Sequence, residues 1–61
     1  MLKNAELFFK VYSGIPIEER KKPIVVIDNS PINWNLASEE IANETERGKK
    51  ILNTLIELEL I

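Results

Sequence analysis

The spacing of apolar residues changes along the chain, and each change marks an element. From Leu2 to Tyr12 the residues Ala5, Phe8, Phe9 and Tyr12 recur at i, i+3, i+4 and i+7, the stripe of an amphipathic helix. Leu7 and Val11 widen that stripe, Lys3, Glu6 and Lys10 take its outer side, and Asn4 or Lys3 stands near its start. Ser13-Gly14 predicts the stop, because glycine accepts a left-handed cap without Cβ strain. Ile15-Pro16 agrees, since a residue before proline avoids the α region. Pro16 then opens a short turn through Ile17 to Arg20, which Lys21-Lys22-Pro23 ends.

The helical period is lost at Ile24-Val25-Val26-Ile27, where consecutive β-branched residues favour a pleated sheet. An unbroken apolar run predicts a strand covered on both faces. Asp28, Asn29 and Ser30 are turn formers, and Pro31, lacking an N–H, suits the start of an edge strand. The return alternates, with Ile32 and Trp34 on one face and Asn33 and Asn35 on the other.

Asn35 is the N-cap expected for a helix from Leu36, in which Ala37 and Ile41 share a face with Trp34 and make that residue the hinge between strand and helix. The pattern lapses from Asn43 to Arg47, where Thr45 is a second candidate N-cap. From Glu46 to about Leu58 a new stripe runs through Ile51, Leu52, Leu55, Ile56 and Leu58. Gly48 lies inside this last helix, costs about 1 kcal/mol relative to Ala, and marks a place where another backbone comes close. The apolar ending Leu58-Glu59-Leu60-Ile61 predicts a docked C-terminus. Residues 1–61 therefore read as a single small α+β domain: an N-terminal helix, a two-stranded antiparallel β-hairpin, and two C-terminal helices bent near Thr45.

Composition narrows the function classes. With no cysteine and no histidine the chain has neither disulfides nor the usual zinc ligands, and no metal or cofactor is expected. A chain this short buries only about 60% of its unfolded surface, which leaves oligomerisation as the available staple. The net charge of −2, with 8 basic and 10 acidic residues interspersed, gives no global field for a polyanion. No apolar run is long enough for a membrane span, and Met1-Leu2-Lys3-Asn4 lacks the regions of a signal peptide, so a cytoplasmic location is expected. The lack of glutamine and cysteine beside abundant Ile, Glu and Lys is a thermophilic bias, which the asparagine content opposes.

Candidate chemistry is sparse. Nucleophilic catalysis needs a base beside the nucleophile, and Ser13, Ser30 and Ser38 all fall where caps, turns or a first helical turn explain them. Glu18-Glu19 and Glu39-Glu40 are adjacent pairs that point apart on a helix and complement its dipole. Gly14 and Gly48 are isolated, so no phosphate cradle is formed. An enzyme is not expected.

Two functions follow. The first is a small non-enzymatic protein-interaction module, acting as a homo-oligomer or as a subunit or regulator of a larger protein. For a homodimer the expected interface is Val25, Ile27, Leu52, Leu55 and Ile56, burying roughly 1,200 Å² or more, because strand and last helix both carry more apolar width than one face needs. The alternative is a nucleic-acid-binding regulator using a helix-turn-helix-like segment at residues 36–58, with Arg47, Lys49, Lys50 and Asn53 as contacts. Glu39, Glu40, Glu44 and Glu46 on the same segment repel phosphate and favour the first reading. Arg20-Lys21-Lys22 reads as a solvated connector guarding the strand, and Trp34 as core.

Overall fold

A computed structural model describes all residues, 1–61. The elements are α1 (Ala5–Ser13), a 3₁₀ turn (Glu19–Lys21), β1 (Pro23–Ile27), β2 (Ser30–Asn33), α2 (Trp34–Ala42) and α3 (Glu46–Glu57). This is the α+β order expected from the sequence. No helix is long and apolar enough to cross a membrane.

Helix α1 buries Ala5 and Phe8, half-buries Phe9, Val11 and Tyr12, and leaves Leu7 in solvent. Its stop differs from the expectation: Gly14 has φ −91° and is right-handed. The end of α1 is instead capped from a distance by Arg20, whose Nε donates to the Ile15 carbonyl at 2.9 Å and whose Nη2 donates to the Tyr12 carbonyl at 3.2 Å. Its guanidinium also lies 4.3 Å from the centre of the Tyr12 ring. A cation at a helix C-terminus answers both the orphan carbonyls and the negative end of the dipole. Arg20 is thus a half-buried structural residue, while Lys21 and Lys22 stay exposed.

The hairpin turn is tighter than the sequence suggests. Asp28 and Asn29 alone form the loop, with φ 51° and 67°, the two left-handed residues that a type I′ turn requires. Ser30 and Pro31 belong to β2, and the register pairs Ile27 with Ser30, Val26 with Pro31 and Val25 with Ile32. Pro23 pairs with Asn33, which makes Ile24 the extra residue of a β-bulge. Within β1, Val25 and Ile27 point into the core and Val26 points out. The expected cover on a second face is therefore absent, and a half-wet antiparallel hairpin is what remains.

Helix α2 starts two residues earlier than the Asn35 cap implied. Asn33, still extended at φ −99° and ψ 175°, accepts the Leu36 N–H on its Oδ1 at 2.7 Å. Trp34 then enters the helix directly and joins Ala37 and Ile41 in the core, as the hinge reading required. Asn35 takes a different task and accepts the Tyr12 hydroxyl at 3.0 Å.

Thr45 caps α3 as expected, its Oγ1 accepting the Gly48 N–H at 2.8 Å. Helices α2 and α3 end alike. Glu44 (φ 54°) and Glu59 (φ 58°) occupy the left-handed position after the cap. Thr45 N–H reaches the Glu40 carbonyl at 3.2 Å and Leu60 N–H reaches the Leu55 carbonyl at 2.8 Å. Both are Schellman closures, with glutamate in the seat glycine usually takes. Between these two helices sits Gly48: a Cβ built there would lie 2.3 Å from the Glu40 carbonyl oxygen. The core joins all layers: the Phe8 ring centre lies 5.8 Å from that of Tyr12, on which it stacks, and 5.8 Å from that of Trp34, to which it is tilted. Phe8 shares one buried cluster with Trp34, Ile32, Ile41, Ile51 and Leu55.

Candidate interaction surface

The residues assigned to an interface from sequence are largely inside the chain's own core. Val25, Ile27, Leu52 and Leu55 are all buried, Leu55 at 0% exposure, and only Ile56 is half-exposed. The apolar width of α3 is used internally because α3 packs on α2 along one side and on β1 along another. Gly48 is likewise spent on the α2–α3 contact and not on a partner helix. The C-terminus is less docked than expected: Ile61 packs against the core, while Leu58 and Leu60 remain exposed.

What the fold does expose is the outer side of the hairpin. Val26 is 67% exposed and faces the same way as the opposing Pro31, which is also exposed. Neighbouring Ile24 is half-buried. The two-stranded sheet has β1 and β2 as its only members, so each strand has a free edge. A two-residue loop makes Ile27 and Ser30 the closing pair that exchanges both ladder bonds, so Val26 and Pro31 form the non-bonded pair. Their outward backbone groups differ. Val26 offers an N–H and a C=O on the β1 edge; Pro31 offers only a C=O on the β2 edge, a blunted edge of the kind natural sheets use against pairing.

The basic residues of the nucleic-acid reading are brought near carboxylates. Arg47 Nε lies 3.8 Å from Glu40, Lys49 Nζ 3.1 Å from Glu46 and Lys50 Nζ 3.1 Å from Asp28. Lys22 pairs with Glu19 at 3.1 Å. Lys49 and Asn53, with Lys3, Leu2 and Leu52, line an open groove of about 250 Å³ between the N-terminal segment and α3. A second shallow recess of about 480 Å³ lies over Met1, Leu2, Asn4, Glu6, Leu7 and Lys10. The carboxylate pairs do not converge: Glu19 and Glu40 each face a cation. Ser13 and Ser38 hydroxyls donate to the Lys10 and Asn35 carbonyls within their own helices. No buried side-chain nitrogen or oxygen lacks a hydrogen-bond partner.

Sequence reasoning missed Val26 as the exposed member of its strand and Arg20 as a helix cap. The first signal was present in the hairpin itself, because period-2 geometry sends Val25 and Val26 to opposite faces whatever their hydrophobicity. No family model, curated protein or solved structure matches this chain.

Proposed function

We propose that this chain is a small non-enzymatic protein-interaction module of the cytoplasm, working as a homo-oligomer or as a subunit of a larger protein, and that it docks through the outer side of its hairpin. The observation that carries this reading is Val26, an aliphatic β-branched residue 67% exposed on a sheet whose β1 edge is unpaired. Exposed apolar surface beside an open strand edge suits β-strand addition, in which main-chain hydrogen bonds give affinity and alternate side chains give specificity. The pairing of Arg47, Lys49 and Lys50 with acids supports protein over nucleic acid as partner, since charges already neutralised release fewer counterions from phosphate.

A photo-crosslinking residue placed at Val26, and in a separate variant at Asn53, tests this in living cells. The expected outcome is a protein adduct from position 26 and none from position 53. No adduct from position 26, or a nuclease-sensitive adduct from position 53, would overturn the proposal.

A further inference from the structure

We infer that the partner at this surface is a second copy of the chain, added edge to edge along β1 about a two-fold axis at Val26; this rests on the interaction reading above and names its occupant. The β2 edge is disfavoured because Pro31 stands at the position whose N–H would point outward. At the equivalent position of β1 stands Val26, whose N–H and C=O both point away from β2, on the edge that no other strand occupies. Two such strands laid antiparallel exchange Val26 N–H and C=O bonds with each other, giving a four-stranded sheet in the order β2-β1-β1-β2. One surface is used twice, as two-fold symmetry requires.

Side chains and charges fit the same register. On the outer face the two Val26 side chains become direct neighbours at a bonded pair, covering the apolar area that each copy alone exposes. On the inner face Val25 of one copy comes opposite Ile27 of the other, so the two cores meet at the seam. Strand β1 enters from Lys21 and Lys22 and leaves into Asp28, and antiparallel pairing sets the basic entry of each copy towards the acidic exit of the other. Lys22 and Asp28 are exposed and each already holds one partner, Glu19 and Lys50. The seam thus joins Lys50, Asp28, the partner's Lys22 and the partner's Glu19 in alternating sign. Parallel pairing, or pairing through β2, sets up no such alternation.

Sedimentation of the full chain across micromolar to millimolar concentration, together with amide exchange at Val26, tests the inference. The expected result is a species of twice the 7.0 kDa chain mass, with exchange at the Val26 amide slowed at least about tenfold on going from dilute to concentrated sample. Val26→Pro, which deletes the outward N–H and spares the β1–β2 ladder, is expected to be monomeric, and Val26→Thr is expected to remain dimeric. If Val26→Pro fails to fold, the wild-type exchange measurement still decides. A monomer throughout, with exchange independent of concentration, overturns the inference; a protein adduct at position 26 then leaves the interaction reading standing with a different partner. A dimer in which the Val26 amide stays unprotected also overturns it, because self-association then uses another surface.

Discussion

Gly48→Ala measures how closely α2 and α3 approach. The added Cβ would stand 2.3 Å from the Glu40 oxygen, 2.7 Å from the Glu40 carbonyl carbon and 3.1 Å from the Ile41 nitrogen. All three are backbone atoms, so no side-chain rotation relieves the clash; the helices must separate by most of an ångström. The crowded carbonyl also accepts the Thr45 N–H at 3.2 Å and the Thr45 hydroxyl at 3.4 Å. Separation therefore strains the α2 closure along with the packing of α2 on α3. Overpacking of this kind costs about 1–3 kcal/mol or more, against which Ala recovers at most about 1 kcal/mol of helix propensity. Because every contact is backbone, one of them at 2.3 Å, the upper end applies, and about 3 less about 1 leaves a net loss of about 2 kcal/mol, a large fraction of the roughly 3–5 kcal/mol that a single small core supplies. In a chain of this size that lowers Tm by roughly 8–16 °C. Circular dichroism during thermal and urea unfolding reads the change. Gly14→Ala is the control, since its Cβ would meet only the Val11 oxygen at 3.5 Å and its φ is already right-handed. It is expected to be neutral or slightly stabilising. A Gly48→Ala protein as stable as the wild type would refute the close approach and the account of why glycine stands there.

Other substitutions probe separate parts of the fold. Glu44 and Glu59 hold left-handed backbone, so Glu44→Gly should exceed Glu44→Ala in stability by about 1 kcal/mol in paired thermal melts, both variants having lost the exposed contact with the Met1 amino group. Thr45→Ala removes the acceptor of the Gly48 N–H and should cost about 1 kcal/mol by urea midpoint, with an unchanged slope. Arg20→Lys cannot span the Ile15 and Tyr12 carbonyls while stacking on Tyr12, and a loss of roughly 1 kcal/mol in the same assay is expected; no loss would mean the guanidinium fork adds nothing. Leu55→Lys places a charge at a position with no solvent exposure and should abolish cooperative unfolding altogether, where a surface position would tolerate it.

The sequence by itself determined the order of elements, because that order follows from local period and local caps. Thr45, the strand at Ile24–Ile27, the turn beginning at Asp28 and the break after Ser13 are all signals contained within a few residues. The need for a close backbone at Gly48 was legible too, since a glycine inside a helix has few other uses. Which backbone came close was not, and neither was the destination of Leu52, Leu55, Val25 and Ile27. Burial depends on how many neighbours a face acquires, and a helix packed on both α2 and β1 absorbs a stripe that looks excessive for one contact. The same holds for Asn33 and Asn35: either can cap a helix, and the short ladder of β2 left Asn33 extended at the right point and freed Asn35 for the Tyr12 hydroxyl. Arg20 closed α1 because the turn after Pro16 brought it back over Tyr12, a return that no local pattern specifies. Val26 was left in water for a related reason: the chain supplies helices for one side of the hairpin only, and the tertiary arrangement decided which side that was.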